Sequence, residues 1–267
     1  MGAAPRSEAD GEPFISGTAA GRPRSYAVIL SKGFRGKTRL GLSKEVTRKI
    51  QTALLEDIHA QLEGCGRFER VLVATPDVEM VDYCRSNGYL TMALDSVDIN
   101  ASMQAICDYG TREGYDTMLV TASDLPFFSS KLVDSMLGHL RELLACNDSG
   151  AVFSPSRGLG MTVCCASPPG SVHLFIDDRT PNFLLLDRVA GSTPRRLAFG
   201  IEGFLDIDRV EHLYETHQLM CEMPDYRNRK VFAFLEGWLA ETANESVPAT
   251  EITERAAPVV PQGAVTL

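Results

Sequence analysis

The sequence predicts an α/β domain with a mostly parallel central sheet flanked by helices, and three observations carry that expectation. Four short apolar runs in the first half, Tyr26–Leu30, Arg70–Thr75, Tyr89–Leu94 and Asp116–Thr121, have the length of buried strands. Each is followed by a longer stretch in which apolar residues recur at helical spacing, and such alternation implies right-handed crossovers between parallel strands. Polar residues gather just after the strands, at Ser31, Thr75-Pro76-Asp77, Leu94-Asp95 and Ala122-Ser123-Asp124. That is where open α/β sheets bind ligands.

The elements follow in order. After Tyr26–Leu30 comes a basic connection, and Ser43 then offers an N-cap for a helix with Val46, Ile50, Leu54, Ile58 and Leu62 on one face. Asp77 caps a second helix that ends at Gly88. A third starts near Asn100, and a fourth at Ser129 or Ser130 with Leu132, Met136, Leu140 and Leu143 facing inward. In the second half, Ala151–Ser154 and Met161–Ala166 read as strands joined by a glycine-containing turn. Thr180-Pro181 opens a helix that closes at Gly191, with proline at the first helical position. The run Leu205-Asp206-Ile207-Asp208 reads as an extended strand before the helical segment Arg209–Leu219. The segment Arg227–Glu241 is a final amphipathic helix carrying Val231, Phe232, Leu235, Trp238 and Leu239. Core packing is its expected role, with a homodimer contact as the alternative. Residues 1–24 read as a disordered leader and 244–267 as a flexible tail, which leaves one domain over 25–243.

Composition narrows the function classes. A net charge of −9 over 267 residues argues against a general nucleic-acid binder, which needs a basic surface to release counterions. No apolar stretch approaches the roughly 20 residues of a membrane span, so no membrane partner is expected. The leader lacks the apolar core of a secretory signal. The seven cysteines are odd in number and form no C-x-x-C pair, which fits reduced thiols in a cytoplasmic protein and gives no support to a structural zinc site. The five histidines show no metal spacing, no G-x-S-x-G elbow is present, and Cys164-Cys165 lies in an apolar strand.

Two features carry chemistry. The first is Leu30-Ser31-Lys32-Gly33-Phe34-Arg35-Gly36-Lys37-Thr38-Arg39-Leu40, directly after the first strand. Its glycines let backbone N–H groups close on an anion, and its cations match a polyphosphate. It stops short of a P-loop. Ser31 replaces the first glycine, Gly41 interrupts the following turn, and Ser43 offers a fresh N-cap, so the helix begins later than a P-loop requires. A solvated basic turn is the plain alternative. The second feature is a set of carboxylates: Asp124, after the strand ending at Thr121, and the pair Asp206 and Asp208. Alternation along an extended segment puts Asp206 and Asp208 on one side, where hard oxygens suit Mg²⁺ shared with substrate phosphates. A basic cradle facing an acidic metal clamp is the composition that phosphoryl or nucleotidyl transfer needs.

In order and spacing, Ala27–Lys32, Lys37–Leu40, Asp98-Ile99-Asn100, Ala122–Pro126, Gly158–Thr162 and Leu205–Asp208 resemble the 2-phospholactate guanylyltransferase family over about residues 26–213. That family makes the activated precursor of the deazaflavin coenzyme F-420 from phospholactate, phosphoenolpyruvate or 3-phosphoglycerate. The resemblance implies a Rossmann-like nucleotidyltransferase fold of the glycosyltransferase-A type, with GTP as substrate and Mg²⁺ as cofactor. It implies catalytic roles for Lys32, Lys37, Arg39 and Asp124, and metal ligation by Asp124, Asp206 and Asp208. Nucleotide contacts fall on Leu30, Ser31, Lys32, Lys37, Asn100 and Ser123, and acceptor contacts on Gly160, Met161 and Thr162.

This sequence departs from the family in identifiable places. Ser31 stands where many members have proline, Leu159 and Met161 replace threonines, and Thr162 replaces an asparagine. The segment Ile176–Phe183 occupies the place of a Phe-Gly-x-x-Ser-Phe motif. Nearly all of these changes fall in the acceptor pocket, which implies a changed acceptor acid. A nucleotide-binding relative without turnover and a sugar-phosphate nucleotidyltransferase or glycosyltransferase of the same fold are the rival readings.

Overall fold

The computed structural model describes residues 23–34, 36–157, 160–172 and 193–244. Among these, seven strands form one sheet in the order β3-β2-β1-β4-β6-β5-β7: β1 Ser25–Leu30, β2 Arg70–Thr75, β3 Leu90–Ala93, β4 Thr117–Ala122, β5 Gly150–Pro155, β6 Met161–Ser167 and β7 Arg195–Leu197. Neighbours pair in parallel except at β6, which runs antiparallel to both β4 and β5. The chain builds outward from β1 to β2 and β3, then returns to place β4 on the other side. The switch point therefore lies between the carboxyl ends of β1 and β4.

Strand alternation divides the core into two faces. Ala27 and Ile29, with Val71, Val73 and Leu119, pack under α1 (Lys44–Gly64), α2 (Val78–Ser86) and α4 (Ser130–Leu144). Tyr26 and Val28, with Leu72, Met118 and Val120, pack under α3 (Ile99–Arg112). Three helices start where the sequence places them. Ser43 Oγ accepts from the Val46 amide at 3.2 Å, Asp77 caps α2, and Asp98 Oδ1 accepts from the Ala101 amide at 2.8 Å. Asp98, two residues before Asn100, is thus the cap of α3. At α4, Ser129 occupies the cap position without a side-chain cap bond.

A third cluster lies on the outer side of α1. Ile50 and Leu54 of α1 meet Leu213 and Met220 of α6 (Val210–Glu222) and Val231, Leu235 and Trp238 of α7 (Lys230–Asn244). The final helix thus packs on the core, as its apolar face implies, and α1 is covered on two sides. Buried Asp57 of α1 joins the layers: its two carboxylate oxygens accept the Lys230 and Val231 amides, each at 2.9 Å. These are the first amides of α7, which have no partner within the helix.

Three features differ from the sequence reading. Among the described residues the segment 205–208 pairs with no strand; it is an extended link between the short helix α5 (Ile201–Phe204) and α6. Neither α5 nor edge strand β7 was expected, since a four-residue helix and a basic Arg-Arg-Leu strand show no apolar period. Arg24, assigned to the leader, is tied to the domain: its amide donates to Asp116 Oδ2 at 2.7 Å, and its guanidinium pairs with Glu69 at 2.8 Å. The helix expected over residues 180–191, the segment 176–183, Gly158 and Leu159, and the leader and tail at 1–22 and 245–267 lie outside the described residues.

Asp57→Ala strands two amides at the start of α7, and a loss of about 2–3 kcal/mol is expected in urea unfolding. Asp57→Asn, which keeps one acceptor oxygen, should lose about half as much. Equal losses in the two variants would show that the amides are satisfied in another way.

Candidate active site

A cavity of about 580 Å³ opens at the switch point. One wall is the connection after β1. Gly33 sits at φ 85°, and a Cβ there would lie 2.1 Å from Asp77 Cβ, so only glycine fits. Asp77 both caps α2 and accepts the Phe34 amide at 2.8 Å, while Gln51 of α1 donates to the Gly33 carbonyl at 3.0 Å. The loop is therefore fixed from two helices. Gly41, at φ 66°, and the turn Thr38–Leu40 separate it from α1, so α1 does not begin at the lysine as a P-loop helix does.

The opposite wall comes from β4 and the link before α6. The Ile207 amide donates to the Asp124 carbonyl at 3.0 Å, and the Ile207 side chain is buried in the third apolar cluster. With Ile207 anchored on that side, Asp206 and Asp208 both line the cavity. Strand pairing was not needed for this; an extended backbone sufficed. Lys37 joins the walls: its Nζ lies 2.5 Å from Asp124 Oδ2 and 2.8 Å from Asp208 Oδ1, and it also reaches the Ile207 carbonyl at 2.5 Å.

The electrostatics follow from this crowding. Burial lowers the pKa of Lys37, but the charge of Asp124 and the hydrogen bonds to Asp124 and Asp208 outweigh it and raise the pKa above its ordinary value. Burial raises the pKa of Asp208, and the bond and charge from Lys37 bring it below the ordinary carboxylate value. Asp206 goes the other way. Burial first, then the like charges of Asp124 and Asp208, push its pKa up to about 6. Asp124 Oδ1 and Asp206 Oδ1 are buried with no hydrogen-bond partner among the described residues. Carboxylate oxygens that accept no hydrogen bond, facing a third acid and offset by the Lys37 ammonium and by the Arg157 guanidinium 3.7 Å from Asp206, fit the donor set of a hard divalent cation.

The remaining expected residues are distributed unevenly. Leu30, Ser31, Lys32, Arg39 and Ser123 line the cavity, with Lys32 and Arg39 solvent-exposed. Ser31 is buried, its hydroxyl accepting the Gly33 amide at 3.2 Å. Gly160, Met161 and Thr162 form part of the wall beside β6. The Thr162 hydroxyl faces the carbonyls of Gly203 at 2.5 Å and Ser154 at 3.2 Å, so its proton is committed within the fold. Asn100 stands in the first turn of α3; its neighbours Ile99, Ser102 and Met103 line the cavity and it does not. Cys164 and Cys165 are buried, and burial pushes Cys165 up to about 12, consistent with inert core thiols.

The model of the MobA-like NTP transferase domain matches residues 27–173, from β1 to just beyond β6. The chain belongs to that family. A curated relative, the phosphoenolpyruvate guanylyltransferase of Sphaerobacter thermophilus, is 24% identical over 140 residues, which are 51% of this chain. The chain spans about 65% of that relative's length. A crystal structure of a candidate nucleotide-diphospho-sugar transferase from Desulfovibrio desulfuricans G20 superposes with a TM-score of 0.63 at 16% identity, covering 83% of this chain and 98% of the other. That likeness supports the fold: a Rossmann-like nucleotidyltransferase architecture.

Within this MobA-like domain the segment matched to the family holds the basic loop and Asp124, while Asp206 and Asp208 come from beyond it. Arg157, in the turn between β5 and β6, was missed by sequence reasoning. Its Nε lies 3.7 Å from Asp206 Oδ1, its Nη1 is 2.5 Å from Glu215 of α6, and its Nη2 donates to the Asp206 carbonyl at 3.2 Å. A lone arginine among Pro155, Ser156 and glycines was the available signal. His212 was also missed; its Nδ1 accepts the Asp208 amide at 3.1 Å and fixes the second acid from behind.

Asp206 gives a pH-dependent signature. Its ordinary pKa of 3.8 rises to about 6 on folding, so the folded chain holds this proton more tightly. Stability drawn from the group is complete below pH 3.8 and is lost as pH rises through about 6. Asp206→Asn, which cannot ionise, should therefore stabilise the metal-free protein at pH 8 by about 1–2 kcal/mol, allowing for solvent screening. In chelator-treated melts the gain should vanish near pH 4, and a gain independent of pH would exclude like-charge repulsion as its source.

Proposed function

We propose that this domain transfers the GMP group of GTP to the phosphate of a small phosphorylated carboxylic acid and releases pyrophosphate. Phosphoenolpyruvate, 2-phospholactate and 3-phosphoglycerate are the acceptor candidates, and deazaflavin coenzyme F-420 biosynthesis is the setting. The observation that carries the reading is Lys37 bridging Asp124 and Asp208 beneath a fixed glycine-containing loop. A cation and three acids, two with orphaned oxygens, converge where the fold binds ligands. Likeness to a phosphoenolpyruvate guanylyltransferase supports the choice of nucleotide and acceptor class.

In this mechanism an oxygen of the acceptor phosphate attacks the α-phosphorus of GTP. A new P–O bond forms as the bond to the β-phosphate breaks, and pyrophosphate leaves with its electron pair. Lys32 and Arg39, exposed at the mouth, meet the triphosphate, and Lys37 offsets negative charge from below. Asp124, Asp206 and Asp208 would hold Mg²⁺, which supplies charge neutralisation on the phosphates when bound. Ser123 and Leu30 flank the nucleotide, and Gly160, Met161 and Thr162 border the acceptor. With the Thr162 proton bonded internally, the acceptor wall is less polar than an asparagine there would make it. Positioning and electrostatics supply the acceleration, and no protein nucleophile is required.

Mass spectrometry of products from GTP, Mg²⁺ and a mixture of three-carbon phospho-acids and sugar phosphates tests the assignment. A GMP adduct of a phospho-acid is expected, with equimolar pyrophosphate. Asp124→Asn should lower turnover by about 10²–10³-fold or more while the circular dichroism spectrum is kept. A sugar-phosphate adduct, nucleotide binding without pyrophosphate, or near-normal turnover by the variant would overturn the proposal.

A further inference from the structure

His217 and Cys221 stand one turn apart on α6, and α7 brings Glu236 against them. The His217 Nε2 atom touches a Glu236 carboxylate oxygen and lies 3.6 Å from Cys221 Sγ. One ligand atom from each of the three residues falls within 4.8 Å of the other two. None of them contributes to the cavity described above.

We infer that His217, Cys221 and Glu236 form a Zn²⁺ site that clamps α6 to α7. The donor set points to this ion: a thiolate, an imidazole and a carboxylate are its common ligands, and thiolate discriminates against Mg²⁺ and Ca²⁺. The spacing of the two α6 residues does too. Bonds of about 2.0 Å to nitrogen and 2.3 Å to sulfur at a tetrahedral angle put the two ligand atoms about 3.5 Å apart. The observed separation is 3.6 Å. The His217 ring is held in place by Phe232, whose ring lies parallel to it with an interplanar angle of 7° and centroids 5.6 Å apart. Arg227 donates to the Cys221 carbonyl and fixes the end of the helical turn. Glu236 is the exposed member, and its carboxylate, in direct contact with His217 Nε2, swings back by side-chain rotation to admit the ion.

Separate hydrogen bonds from His217 Nε2 to Glu236 and to Cys221 Sγ would compete for one ring nitrogen, whereas a single ion can engage all three side chains at once. Zinc uses all three side chains. Its consequence is mechanical. The same helix α6 follows Asp206 and Asp208 and holds Glu215 against Arg157, so a clamp on α7 steadies the segment that carries both acids.

Cobalt reports the site directly. The chelator-treated full chain, in excess Mg²⁺ to saturate the carboxylates of the cavity, should bind one Co²⁺ and develop a near-ultraviolet thiolate-to-cobalt charge-transfer band with tetrahedral visible bands. Cys221→Ser should abolish the thiolate band, and Glu236→Gln should weaken binding at least tenfold. Replacing Cys146, an exposed cysteine elsewhere, should change nothing. Zn²⁺ at a hundred times its dissociation constant should raise the melting temperature of the wild type by about 5–10 °C, and that of Cys221→Ser far less. Absence of a thiolate band, its persistence in Cys221→Ser, or an undiminished thermal shift in that variant would overturn the assignment.

Discussion

The ammonium of Lys37 lies between Asp124 and Asp208, and the rest of the site depends on that contact. It ties together segments separated by 87 and 171 residues. A lysine largely removed from water is costly unless paired, and so are the acids around it. Each partner makes the others tolerable. Three carboxylates face the Lys37 ammonium and the Arg157 guanidinium, the latter 3.7 Å from Asp206 and shared with Glu215, so the cluster keeps an excess of negative charge. Burial, and then the like charges of Asp124 and Asp208, raise the Asp206 pKa to about 6, and its Oδ1 accepts no hydrogen bond among the described residues. The same imbalance makes the cluster suited to a divalent cation.

Several apolar decisions stand behind that polar contact. Ile207 is buried in the cluster formed by α1, α6 and α7, and its amide is bound to the end of β4. Without that anchor Asp206 and Asp208 would have no reason to point into the cavity. The α7 helix, capped by Asp57 of α1, completes the cluster. The C-terminal part of the chain thus serves the site indirectly, by holding a short acidic link in place. Arg157 and His212 reach that link from two further directions.

Features governed by neighbours in sequence were legible early. The first six strands fall within a residue or so of their apolar runs, and Ser43 and Asp77 cap the helices assigned to them. The delayed start of α1 followed from Gly41 and Ser43. Weak periodicity hid two elements: β7 has three residues and two are arginines, and α5 has four. The link 205–208 imitates a strand because alternation is also the pattern of any extended segment with one buried side chain. Burial of Ile207 produces it without a ladder.

The residues themselves determined the chemistry of the site: a glycine- and cation-rich loop after β1, and acids of the type that hold hard cations. Short-range forces, namely side-chain volume, caps and backbone freedom at glycine, fix such features locally. Tertiary structure alone decided that Lys37 would sit among the acids and that Arg157 would back Asp206. It also decided that Glu236 would meet the pair His217 and Cys221. Those outcomes depend on which helix packs over which strand, and that is set by burial summed over the whole core, which no local pattern records.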